Sequence, residues 1–241
     1  MDEIKRPDGE LARRPLYFFW IVDCSGSMYG EKIGILNNTV HECLPAMKDK
    51  ADRINAQLLI RTLKFATGAR WTTSSPVPIE AFVWDDLDAG GITDIGKAFE
   101  LLAGQLSIPP MPTQALPPVL VLLTDGHPTD NYTKAYEALA ELPWFKKSVR
   151  IGVSIGRDAD EILLREFTGN PEYVLQANNT EDLAKAIKWT STAPFLGCPP
   201  YTGVKKHQDN HDDSVDHDND DIIPLLPDIP VGKPVDLSSF W

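Results

Sequence analysis

Six apolar residues, Tyr17-Phe-Phe-Trp-Ile-Val22, run without a break into Asp23-Cys24-Ser25-Gly26-Ser27-Met28. A run this rich in aromatic and β-branched residues fits a strand covered on both faces, the central strand of a parallel sheet. The polar, glycine-containing segment that follows is a loop signal and argues against a buried helix. The strand thus delivers one carboxylate and two hydroxyls to the carboxyl edge of a sheet, where ligands of open α/β folds bind. Oxygen donors, with no thiolate or imidazole at metal-binding spacing, suit a hard cation such as Mg2+.

The rest of the chain alternates strand and helix patterns. Residues 31–50 place Ile33, Leu36, Val40, Leu44 and Met47 on one helical face, and Pro45 is expected to end or kink that helix. Residues 57–65 read as a second strand, Thr67-Gly68 as a turn, and 71–78 as irregular. Residues 79–84 read as a short edge strand, because prolines precede it. A loop with Gly90 and Gly91 leads to Thr93 and to a helix marked by Ile95, Phe99, Leu102 and Leu106, with Asp94 as its expected cap. After a connector with five prolines, Val119–Leu123 is a second fully apolar strand, and it too runs into an aspartate, Asp125. Helix, strand, helix closed by Gly169, short strand and helix follow. This alternation predicts an α/β, doubly wound, mostly parallel sheet with one short antiparallel edge strand and helices on both faces.

If the sheet follows the common open order, the strands ending at Asp23 and Asp125 are neighbours where the order reverses. Asp23, Ser25, Ser27, Thr93 and Asp125 then converge on one crevice. Here the sequence closely resembles the von Willebrand factor type A family and its metal-ion-dependent adhesion site. Asp23-Cys-Ser25-Gly-Ser27 matches the family's Asp-x-Ser-x-Ser. Thr93 in Gly-Gly-Ile-Thr-Asp and Asp125 in Leu-Leu-Thr-Asp-Gly match its threonine and second aspartate. The resemblance covers residues 15–190 and implies the Rossmann-like fold of that family. It implies Mg2+, with Mn2+ or Ca2+ as alternatives, bound directly by the hydroxyls and mostly through water by the aspartates. It also implies a partner protein whose Asp or Glu carboxylate completes the coordination. Leu122-Leu-Thr-Asp-Gly-His-Pro-Thr-Asp130 is closest to the bacterial tellurite-resistance TerY-type branch. That branch implies a cytoplasmic stress-response or defence role beside a Ser/Thr protein kinase and a PP2C-type phosphatase. Met28, His127 and Asp94 are expected at the rim that a partner touches, and Asp94 and Asp130 are also read as helix caps.

Charge and composition narrow the alternatives. The net charge is −12, which disfavours nucleic acid and anionic membranes as partners. No apolar run approaches the ~18 residues of a membrane span, and the charged start lacks a signal-peptide core. Cys24, Cys43 and Cys198 are too few and scattered for a disulfide framework or a zinc site. Residues 1–14 read as a polar arm, 15–193 as the domain, 194–204 as a packed extension or linker, and 205–241 as an acidic tail. That tail holds nine Asp and three Lys, three His, and a proline-spaced apolar end suited to docking on a partner or folding back on the site. The rival from another class is a Mg2+-dependent phosphotransferase of haloacid-dehalogenase type, with Asp23 as nucleophile. Ser25 stands where that group has its second aspartate, and the sequence shows no lysine in a comparable loop. No Gly-x-x-x-x-Gly-Lys-Ser/Thr occurs, which disfavours a nucleotide hydrolase.

Overall fold

A computed structural model describes residues 13–196. The chain divides into two units, Met1–Val204 and Lys205–Trp241, and all described residues belong to the first. Most of the expected N-terminal arm, and the acidic tail with its histidines and docking segment, lie outside the described residues.

The apolar run is the central strand, β1 (Arg14–Asp23). It lies between β2 (Ala56–Ala66) and β5 (Val119–Thr124), parallel to both. Beyond β5 come β6 (Val149–Ile155) and β7 (Val174–Ala177), also parallel, so the order is β3-β2-β1-β5-β6-β7. The antiparallel edge is β3 (Gly68–Trp71), joined to β2 by a turn at Gly68 with φ +76°. A two-residue strand, β4 (Val77–Pro78), pairs with the same side of β2. The mostly parallel, doubly wound sheet predicted from the strand–helix alternation is therefore present.

β1 is covered on both faces because its side chains alternate. Phe18, Trp20 and Val22 pack with α1 (Glu31–Arg53) and α6 (Thr180–Thr192). Phe19 and Ile21 pack on the opposite face with α2 (Ile95–Leu106) and α5 (Glu161–Thr168). All five are fully buried, which is why the run shows no period of two in polarity. Two further helices, α3 (Thr133–Ala140) and α4 (Pro143–Lys147), cover the second face. Phe195, just past α6, stacks on Phe18 at 6.4 Å.

Three expectations need correction. Of the two outcomes expected at Pro45, an end or a kink, the first does not occur: α1 continues to Arg53. Pro45 and His41, whose carbonyl loses its helical donor, are both exposed, so solvent can serve that carbonyl while Met47 and Ala51 stay buried beyond it. Residues 79–84 are not a strand, since the exposed side of β2 is already taken by β3 and β4. Their apolar side chains Ile79, Phe82 and Trp84 instead fold onto the core as a loop. Asp94 does not cap α2 through its side chain; the Asp130 carboxylate accepts the Gly96 N–H from across the sheet edge.

Candidate functional site

The sheet order reverses between β1 and β5. Their pairing ends with Val22 opposite Leu123, so Asp23 lies beside Thr124, which hydrogen-bonds to it, and Asp125 follows directly. Asp23 is fully buried, and both its oxygens are engaged: Oδ1 accepts the Ser25 N–H at 2.8 Å and Oδ2 the Thr124 hydroxyl at 2.6 Å. Burial pushes its carboxyl up from the ordinary aspartate value; those hydrogen bonds pull the other way, and the charge on Asp125 adds to the rise.

The hydroxyls come next in space. Ser25 Oγ and Ser27 Oγ are 3.1 Å apart, and the Ser27 hydroxyl donates to Asp125 Oδ1 at 2.6 Å. Thr93 is 7% exposed, and its Oγ1 and the Ser27 Oγ each lie about 4 Å from where a Gly126 Cβ would be. Ser25, Ser27 and Asp125 are thus linked side chain to side chain, Asp23 adjoins them through Ser25 and Thr124, and Thr93 lies beside Gly126.

Backbone contacts explain how three distant loops stay together. The Gly90 N–H donates to Cys24 O at 2.7 Å, and the Gly26 N–H to Gly91 O at 3.0 Å. Gly91 has φ +91°, and a Cβ there would lie 2.5 Å from Thr67 Oγ1, so only glycine fits both the backbone angle and the space. Thr93 is held by Thr129, whose hydroxyl accepts its N–H and whose N–H donates to its carbonyl.

A hard divalent cation is the group these residues fit. Oxygens about 2.1 Å from Mg2+ in an octahedron are about 3.0 Å from one another along an edge. The Ser25–Ser27 separation matches that edge. A cationic group is also drawn to the site: the Lys32 ammonium lies 2.5 Å from Asp125 Oδ2. Among the described residues no group of three or more His, Cys, Asp and Glu could hold a metal, because here the donors are chiefly hydroxyls.

The rim differs in part from expectation. Met28 is fully buried in the core on the α1 face; the 3-10 turn Gly26–Met28 rotates it inward and leaves Tyr29, 79% exposed, in its place. Ile92, 49% exposed, adds a second apolar group from the neighbouring loop. His127 is exposed as expected, with Nδ1 3.2 Å from Asp160 Oδ2. Asp94 is chiefly a brace, accepting from the Gly68 N–H and the Thr129 hydroxyl. Lys32 is an addition that the sequence pattern does not single out. It reaches in from the first turn of α1.

Cys24 adjoins the site but faces the core. It is 2% exposed, and burial pushes its thiol up to about 12. At pH 8 the thiolate fraction is then on the order of 10⁻⁴. Peptide mapping after brief iodoacetamide treatment is expected to show Cys24 unlabelled in the native protein and fully labelled in denaturant. Rapid native labelling would show that the loop opens.

No family model matches the chain, and no curated protein does. Solved structures match in fold. A von Willebrand factor type A protein from Catenulispora acidiphila has a TM-score of 0.56 at 16% identity, covering 76% of this chain and 43% of that one. The ArnB paralog VWA2 from Sulfolobus acidocaldarius has a TM-score of 0.55 at 18% identity, covering 74% and 45%. Proximal thread matrix protein 1 from the mussel byssus, with a zinc-occupied MIDAS motif, has a TM-score of 0.55 at 19% identity, covering 78% and 48%. The chain spans less than half the length of each. It has the von Willebrand factor type A fold. Among its described residues no helix is long and apolar enough to cross a membrane.

Proposed function

We propose that this chain is a non-catalytic, metal-dependent protein-interaction module. Ser25, Ser27 and Thr93 would hold a divalent cation, Mg2+ foremost, with Asp23 and Asp125 supplying the compensating charge. The bound cation would offer a coordination position to an Asp or Glu carboxylate of a partner. The observation that carries this reading is the chain of contacts Ser25–Ser27–Asp125, whose hydroxyls are spaced as neighbouring ligands of one small cation. Neutral hydroxyls would leave no anion in direct contact with the ion, the two aspartates balancing its charge from further out, which favours an anionic ligand from outside. Tyr29 and Ile92 are exposed apolar side chains close in sequence to Ser27 and Thr93, which favours a carboxylate set among apolar side chains.

Asp23 is unsuited to the nucleophilic role that a phosphotransferase requires. Both its oxygens already accept hydrogen bonds, and none of its surface is exposed. Three polar residues of the Leu122–Asp130 stretch support the site: Thr124 bonds Asp23, Thr129 holds Thr93, and Asp130 holds the start of α2. The finer reading is a tellurite-resistance-type module in the cytoplasm of a bacterium, acting in a stress response with a Ser/Thr kinase or a PP2C-type phosphatase as partner. Its motivation is that stretch of sequence.

The test is co-purification from a cell extract, with identification by mass spectrometry. A partner is expected to be retained in millimolar Mg2+ and released by chelator. Equal retention in both conditions would contradict the proposal.

A further inference from the structure

The four carboxylate oxygens of Asp23 and Asp125 each accept a hydrogen bond, and the donors are unequal. The Ser25 N–H is backbone, and the Thr124 and Ser27 hydroxyls sit on short side chains. The fourth donor is the Lys32 ammonium, on Asp125 Oδ2. It alone carries charge, and it hangs on a four-carbon stem that is 37% exposed, whereas the Asp125 side chain is fully buried. Three donors are therefore tied to the fold, and the charged one can swing out to solvent.

We infer that Lys32 is a built-in competitor for the cation site: its ammonium neutralises Asp125 when no metal is bound and must leave that carboxylate for a divalent cation to bind tightly. This inference rests on the metal reading of the site. Two buried carboxylates balance one divalent cation. A retained ammonium beside them would leave excess positive charge where solvent screening is weak. Without the metal, Asp125 would be a buried carboxylate with no counter-charge, and Lys32 prevents that. The exchange sets the metal affinity of the module and makes it lower than the oxygen donors alone would allow. Lys32 is a specificity-determining residue for the site, not a ligand.

Calorimetric titration of the full chain with MgCl2 tests this, comparing wild type with Lys32→Met, which keeps the length and removes the charge. Lys32→Met is expected to bind Mg2+ at least about tenfold more tightly and to melt at a lower temperature than wild type in chelator. Lys32→Arg, which keeps the charge, is expected to bind about as weakly as wild type. In wild type, acylation of Lys32 is expected to speed up when Mg2+ is added. Equal or weaker Mg2+ binding by Lys32→Met would overturn the inference and leave the metal reading intact, since Lys32 would then merely orient Asp125. If Lys32→Met binds Mg2+ and wild type does not, the inference stands and the metal-dependent function of the natural chain fails. If neither binds Mg2+, both fail.

Discussion

Replacing Ser25 and Ser27 together by alanine is expected to lower Mg2+ affinity at least about a hundredfold while the domain stays folded. Losing even a supporting group around a metal costs about 10–100-fold in affinity, so losing two direct donors costs no less. The fold should tolerate the change. The hydrogen bond to Asp23 Oδ1 comes from the backbone of Ser25, which alanine keeps, and the Thr124 bond is untouched. What is lost is the Ser25–Ser27 contact and the Ser27 donor to Asp125 Oδ1, the latter worth about 1.5–3 kcal/mol because its acceptor is a buried carboxylate that keeps the Lys32 donor. Calorimetry should show the loss of Mg2+ binding, with a far-UV spectrum and cooperative melting like those of wild type. Unchanged affinity would mean that the cation site lies elsewhere.

A second large effect is expected at a residue with no ligand role. Asn37, on the buried face of α1, bonds the loop that carries Gly90, Gly91 and Thr93. Its Oδ1 accepts from the Trp84 indole at 3.1 Å and from the Leu87 N–H at 3.0 Å, while its Nδ2 donates to the Leu87 carbonyl at 3.0 Å. Asn37→Leu fills the space but leaves three buried polar groups without partners. Each such group costs about 1–3 kcal/mol, offset in part by new apolar contact, so a net loss of about 3 kcal/mol is expected in urea denaturation. Mg2+ affinity should fall as well, because the loop reaches the site through the Gly90–Cys24 and Gly91–Gly26 bonds. A change below about 0.5 kcal/mol would mean that the loop is held by other contacts.

The two cases differ in how far they can be read from the chain. Ser25 and Ser27 follow directly on a run of apolar residues, and a strand end at the switch point of an α/β sheet is a place where side chains meet ligands. Asn37 sits inside a helical pattern with nothing local to mark it, and its partners are about fifty positions away. Trp84 and its neighbours look like a strand by composition. What makes them a loop is that β3 and β4 already cover β2, and no local pattern reports a full sheet edge.

Local periodicity is a short-range signal. It sufficed for β1 and β5, for most of the helices between the strands though not for α4, and for placing Asp23, Ser25, Ser27, Thr93 and Asp125 at strand ends or in the loops that follow or face them. It could not say which side chain in the first turn of α1 turns toward the crevice, because that depends on how the whole helix is rotated by packing of Ile33, Leu36, Val40 and Met47. That rotation carries Lys32 to Asp125, a residue 93 positions further along the chain, while the 3-10 turn before the helix buries Met28 and leaves Tyr29 exposed. Sequence alone determined which oxygen-bearing residues stand at the ends of β1 and β5, whereas the ammonium that pairs with one of their carboxylates was decided by tertiary packing, since charge pairing across such a separation exists only once the core has set the geometry.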